Sequence, residues 1–158
     1  MRRQTQRTLP PTLPAAHSAW LAVVRAYNLC EAVLAERLAK LRLKTSEHEV
    51  LVTLLLVPGA TQQNLAAHSV TAKSVMSALV TKLETAGHVV RRTDERDARV
   101  WRLHLTPSGA ALARRSLAVQ NEIIEGMTAG TDAATLAMLE AVSERACAAL
   151  QAMRGEAV

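Results

Sequence analysis

The sequence predicts a mainly α-helical chain with one small β element of two or three strands. Three observations carry this prediction. Long stretches toward both ends repeat their apolar residues every three or four positions, the period of a helix with one buried face. Near the middle, two shorter helical segments flank a tight break at His68-Ser69-Val70. From His88 the pattern changes to two short strand-like runs on either side of a polar, charged tip.

Residues 1–13, with Pro10 and Pro11, read as a flexible arm. A single domain is expected over 14–158. The first helix is expected from Pro14 to Leu41, with Trp20, Val24, Tyr27, Leu34, Leu38 and Leu41 on one stripe. A second runs from Ser46 to Val57, where Ser46 and Glu49 have capping-box spacing and Pro58-Gly59 ends it. Thr61 caps a short third helix carrying Leu65 and Ala66, and Thr71 caps a fourth over Ala72–Ala86, closed by Gly87. Val89–Arg92 and Val100–Leu105 read as strands, with Thr93–Ala98 as the exposed tip. Thr106-Pro107 opens a fifth helix reaching Met127. Gly126 and Gly130 punctuate, and Thr131-Asp132 start a last helix with Leu139, Val142, Ala146, Ala149 and Met153 on one side. Two short helices across a tight turn, followed by a hairpin, describe a winged helix-turn-helix lobe over about 45–105. The stripes on helices within 14–43 and 107–154 exceed what that lobe can cover, so they are expected to bury one another across a two-fold axis.

Composition narrows the function classes. Hydrophobic residues make up 49% of the 158, yet aromatics only 2%, with no Phe. The core is therefore aliphatic, and a stacking platform for single strands is excluded. The net charge is +5, unevenly placed: residues 1–44 hold eight bases and two acids, and 61–105 hold seven and four. Positive potential in those segments suits a polyanionic partner. No apolar run reaches the roughly 18 residues of a membrane span, and no secretory signal opens the chain, so a cytoplasmic protein is expected. No nucleophile elbow, phosphate-binding loop, dinucleotide fingerprint or H-E-x-x-H motif occurs, so neither an enzyme nor a cofactor is expected.

The chemistry-bearing residues lie on the fourth helix and the hairpin. Met76, Leu79, Val80 and Leu83 form its buried face; opposite lie Lys73, Ser74, Val75, Ser77, Ala78, Thr81 and Lys82. Lysines there hold phosphate or a guanine, serines donate to phosphates or base edges, and Val75 meets a thymine methyl group. The bland alternative is an ordinary solvated face. The hairpin adds Arg91, Arg92, Arg96, Arg99 and Arg102, and a long Arg on a narrow ribbon reaches a minor groove. Asp97 is placed to pair with an arginine and hold the tip in shape.

These residues resemble the multiple-antibiotic-resistance regulator (MarR) family. The resemblance rests on Leu65-Ala66, Ser74 through Glu84, Gly87, the Asp97-x-Arg99 wing signature and Leu105-Thr106-x-x-Gly109. Ala19-Trp20, Arg25-Ala26, Glu47 through Leu51 and Leu54-Leu55 also look like the family's opening helices, so about 15–154 is covered. The resemblance implies a homodimeric DNA-binding transcriptional regulator, more often a repressor, that reads a pseudo-palindrome. It also implies Arg99 in the minor groove, with Lys73, Ser74, Ser77 and Lys82 on the major-groove side. Ala78 stands where the family often has an arginine, and Lys44 where a Thr or Ser cap is common, leaving Thr45 or Ser46 to serve.

Family members often release DNA to a small aromatic acid, a metal or an oxidant. Trp20, Arg25 and His48 are candidates to line a pocket for an organic anion, Arg25 holding its carboxylate. The competing reading makes Trp20 dimer core and Arg25 a surface base. Cys30, three residues from Tyr27, is either a buried structural thiol or a redox sensor, and Cys147 is read as packing. Cys30, Glu47, His48 and Glu49 lack the dense spacing of a metal site, and none is expected. The rival to DNA binding is a winged-helix module for protein interaction.

Overall fold

The computed structural model describes residues 15–68 and 73–155, the side chains of 66–68, 73 and 74 excepted. The expected arm over 1–13, the centre of the tight break and the Thr71 cap lie outside the described residues. Among the described residues the elements follow in the order α1 (Ala15–Ala39), α2 (Thr45–Leu56), α3 (Gln62–His68), α4 (Lys73–Thr85), β1 (Val89–Thr93), β2 (Trp101–Leu105), α5 (Pro107–Thr128) and α6 (Ala133–Met153). The chain divides into two compact units, the first ending at Ile123 and the second beginning at Ile124.

The first unit holds the core. Leu34 and Leu38 of α1, Val50, Leu51 and Leu54 of α2, Leu65 of α3, Met76, Val80 and Leu83 of α4, Val89 and Leu103 of the strands, and Ala113 and Ile123 of α5 are all buried. These side chains interlock as one aliphatic cluster, and each large one contributes about 1.5–3 kcal/mol through removal from water. Only the C-terminal half of α1 joins it; Trp20 and Tyr27 are 58% and 62% exposed.

Several local rules were legible and several were not. α1 stops at Ala39 rather than Leu41, because Arg42 takes a left-handed conformation (φ 56°). The Leu43 amide then donates to the Leu38 carbonyl at 3.1 Å, and the Arg42 amide to that of Ala39 at 2.9 Å, the two bonds of a Schellman close. α2 begins one residue earlier than expected, with Lys44 at its N-cap. Neither Thr45 nor Ser46 caps it. The Glu47 carboxylate accepts the Lys44 amide at 2.9 Å instead, so the reciprocal acid is Glu47 and not Glu49. Thr61 caps α3 as expected, its hydroxyl accepting the Asn64 amide at 3.1 Å. Gly126 lies inside α5, which runs on to Thr128; without a turn to bond into, a lone glycine weakens a helix but does not end it. Asp132 caps α6 by accepting the Thr135 amide at 3.0 Å.

The wing is a two-stranded antiparallel sheet in which Val89 faces Leu105 and Thr93 faces Trp101. Among the described residues no third strand forms. Its place is taken by the α2–α3 turn, where Thr61 bridges Arg102, the Gly59 amide donates to the Leu103 carbonyl, and the Leu103 amide donates to that of Ala60. The Leu-Thr-x-x-Gly segment closes the lobe. Thr106 accepts the Gly109 amide at 3.1 Å while its hydroxyl donates to the Gly87 carbonyl at 2.7 Å. A Cβ on Gly109 would lie 1.9 Å from the His88 carbonyl oxygen, so only glycine lets α5 start this close to the turn.

In the second unit α6 has no buried residue. Met138, Leu139, Val142, Leu150 and Met153 are exposed along it.

Candidate nucleic-acid interface

α4 is fixed by its inner face and free on its outer one. Met76, Val80 and Leu83 are almost fully buried, while Val75 is 49% exposed and Ser77, Ala78, Thr81 and Lys82 also face solvent. The helical period therefore separates a buried face from an outward one, as the sequence indicates. The side chains of Lys73 and Ser74 lie outside the described residues. Lys82 has a second attachment: its ammonium pairs with Glu47, whose side chain is only 4% exposed. That carboxylate thus closes the first turn of α2 and ties α4 to it. Burial works to raise its pKa, but the hydrogen bonds and charges of Lys82 and Lys44 outweigh that effect and lower it, so Glu47 stays ionised.

The hairpin tip is built around two aspartates. Asp94 accepts the backbone amides of Arg96 at 2.8 Å and Asp97 at 3.1 Å, and pairs with the Arg102 guanidinium. That guanidinium holds the Asp94 carboxyl below the usual carboxylate range. Asp97 accepts from the Arg99 amide at 3.0 Å and from its Nε and Nη2 at 3.1 and 3.3 Å. This side-chain bond holds Asp97 low in turn. The sequence expectation that Asp97 pairs with an arginine is met, and the arginine is Arg99. Arg99 remains 90% exposed, a cation held in one direction from a short tip. Arg96 and Arg92 are exposed, whereas Arg91 is half-buried and pairs with Glu84 of α4 at 2.9 Å. Arg91 thus braces the strand against the helix. Sequence reasoning missed Asp94, Arg102 and Glu47 as organisers. Their signal was position: one within the tip, one across the hairpin and one three residues past a helix N-cap.

A separate cavity of about 250 Å³ lies between α2, α3, α4 and α5, lined by His48, Glu49, Val50, Val52, Thr53, Leu65, Met76 and Gln120. His48 is 2% exposed, and its Nδ1 has no hydrogen-bond partner among the described residues. Burial pushes its pKa down, partly offset by a bond to Gln120 and the charge of Glu31. The three residues proposed from sequence for an organic anion are not brought together. Trp20 and Arg25 lie on the exposed face of α1, Arg25 bonded to the Leu21 carbonyl of its own helix at 3.3 Å, and neither lines this cavity. Cys30 is half-buried against the core, and Cys147 is exposed on α6 rather than packed within the chain. Among the described residues no group of three or more His, Cys, Asp or Glu is placed to hold a metal, and no helix is long and apolar enough to cross a membrane.

Because His48 is held neutral, acid should destabilise the fold earlier than carboxylates alone would. The unfolded chain takes up the imidazole proton near pH 6.5, and the folded chain only at lower pH. Stability is therefore full above that value and falls as pH drops through the window below it. Urea unfolding at pH 7.5, 6.0 and 5.0 should show this loss, and His48→Gln should flatten it. An equal slope in the variant would remove His48 as the cause.

The comparisons agree with this geometry. The model of the MarR family matches residues 43–100, the segment from the start of α2 through the wing tip. Among solved structures, a MarR family transcription regulator superposes with a TM-score of 0.77 at 22% identity, covering 90% of this chain and 94% of its own. A MarR family protein of Mycobacterium tuberculosis, in complex with salicylic acid, gives 0.63 at 26% identity, covering 87% and 98%. Wild-type MarR of E. coli in its apo form gives 0.67 at 18% identity, covering 86% and 98%. No curated protein matches the sequence.

Proposed function

We propose that this chain, whose lobe matches the MarR family and whose fold is that of MarR structures, is a sequence-specific regulator of transcription that binds double-stranded DNA. In this reading it acts as a homodimeric repressor on a pseudo-palindromic site. The observation that carries the proposal is the pairing of two differently built surfaces. One is a helix buried on Met76, Val80 and Leu83 that presents Val75, Ser77, Ala78 and Thr81 outward. The other is a wing whose tip holds Arg99 in place through Asp97. A helix of this width fits a major groove, and a pre-oriented guanidinium fits the negative potential of a narrow minor groove. A protein-interaction module would need neither the charge nor the held arginine. Lys82, tied to Glu47, serves here chiefly to fix α4, with phosphate contact as a secondary role.

The test is binding to a duplex selected by the protein from a random-sequence pool, titrated across salt. A steep linear fall of log affinity with log salt is expected, because phosphate neutralisation releases counterions. Arg99→Ala should weaken binding by about 1–3 kcal/mol, the range of a good groove contact, without lowering thermal stability. Salt-insensitive binding, or an Arg99 variant equal to the parent, would remove DNA as the partner of this surface.

An effector is assigned to the His48 cavity. One of the matched structures holds salicylic acid, whereas here the lining includes Glu49 and, among the described residues, no Lys or Arg. A buried, neutral imidazole whose Nδ1 has no hydrogen-bond partner among the described residues supports a small uncharged ligand with a hydrogen-bonding group over the carboxylate expected from sequence. Release of DNA by phenol-like compounds but not by benzoates, lost in His48→Ala, is the expected result; the opposite order would restore the anion.

A further inference from the structure

We propose that Arg102 is the positioning residue of the wing, a single guanidinium that ties the DNA-reading tip to the α2–α3 turn. Its consequence for DNA rests on the function proposed above, whereas its effect on the tip does not. Arg102 Nη1 donates to the Gly59 carbonyl at 3.0 Å, and its Nε pairs with Asp94 Oδ2. Gly59 is an anchored acceptor: it is buried, and its own amide donates to Leu103 at 3.0 Å. Asp94 is the hub of the tip, its side chain 10% exposed, with Oδ1 taking the amides of Arg96 and Asp97.

From there the order passes along the backbone. The Asp94 amide donates to the Val100 carbonyl, and the Val100 amide to that of Asp97, both at 2.9 Å. Asp97 then fixes Arg99. The route from the buried turn to the exposed arginine is Gly59, Arg102, Asp94, Asp97 and Arg99, and on that route Arg102 supplies the side chain that joins the turn to the tip. A tip of exposed polar residues has no packing to define its shape, so its conformation depends on such hydrogen bonds.

The residue type follows from the geometry. Two acceptors of different kinds, a carbonyl and a carboxylate, lie on either side of one side chain. A planar fork reaches both at once, and a lysine ammonium reaches one well. Each arginine has two nitrogens engaged within the chain, but Arg102 is anchored to the buried turn and 47% exposed, whereas Arg99 is bonded only within the tip and 90% exposed, so Arg99 is the one that presents itself to a groove.

Two measurements test the inference. The first is amide hydrogen exchange in the free protein. Arg102→Ala should speed exchange at Arg96 and Asp97 at least tenfold while Val80 in α4 keeps its protection, and Arg102→Lys should fall between. Unchanged exchange at Arg96 and Asp97 would overturn the proposal, and if the alanine variant does not fold, the lysine variant carries the same comparison. The second is a double-mutant cycle on the selected duplex. Arg102→Ala should weaken binding about tenfold in the parent and not at all in an Arg99→Ala background, because it acts through Arg99. Losses that multiply would make Arg102 an independent DNA contact and overturn its positioning role. A parent protein that selects no duplex would defeat the functional reading alone, leaving the exchange measurement to decide the strut.

Discussion

Leu83→Ala and Met76→Ala are each expected to cost about 2–5 kcal/mol of folding stability, the range for large-to-small changes in a packed core. Both side chains are essentially buried, at 2% and 1% exposure. Both belong to the aliphatic cluster of the lobe core. Each also borders an existing space, Met76 the His48 cavity and Leu83 a cleft of about 480 Å³ beside Lys82 and His88. Cutting either back loses its transfer free energy and enlarges that space, so the two costs are expected to be similar. Val75→Ala, on the outward face, should change stability by less than about 0.5 kcal/mol. Chemical denaturation of the three variants checks the ranking. A Val75 variant as damaged as the Leu83 variant would mean that α4 is rotated, and the outward set would then fail with it.

That same helix shows why so much of the lobe was legible. A residue whose role is set by local period or by its own backbone is readable from sequence. The spacing of Met76, Val80 and Leu83 gave the inner face, Gly87 the helix end, and Thr106 the α5 cap. The Asp97–Arg99 pair was readable because its partners lie two residues apart. What was not readable depends on contacts between distant segments. Arg102 meets Gly59 from 43 residues away, and Lys82 finds Glu47 across the α2–α4 packing. Lys82 therefore read as a free phosphate ligand, though half of its role is internal. The same limit explains the ligand pocket. Trp20, Arg25 and His48 suggested one site by chemistry alone, and the fold separates His48, deep among α2 to α5, from two residues on the outside of α1. The choice of Ser46 and Glu49 as the α2 capping pair had the right logic two residues out of register. Lys44 was discounted as a cap because of its side chain, although the interaction that matters there uses its backbone amide.

Leu139→Glu is expected to abolish self-association and, with it, binding to paired half-sites. α6 is a 21-residue helix with no buried residue, on which Leu139 is 56% exposed and Met153 82%. Monomeric proteins rarely leave a contiguous apolar patch of several hundred Å² in water, and a helix of this length carrying Met138, Leu139, Val142, Leu150 and Met153 would present one. A second copy is the natural cover, since a two-fold contact sets the same face against itself and closes without leaving a free end. Burying a glutamate in such a contact leaves an unpaired charge in an apolar seam, a loss of several kcal/mol for each copy and thus counted twice. Sedimentation at micromolar concentration should show a dimer for the parent and a folded monomer for Leu139→Glu. The same variant should bind a single half-site with the parent's specificity but lose the affinity gained by linking two, a factor of about 10²–10⁴ for tethered modules. A parent that sediments as a stable monomer would end the two-fold reading. A dimeric Leu139 variant would instead place the interface elsewhere on the molecule.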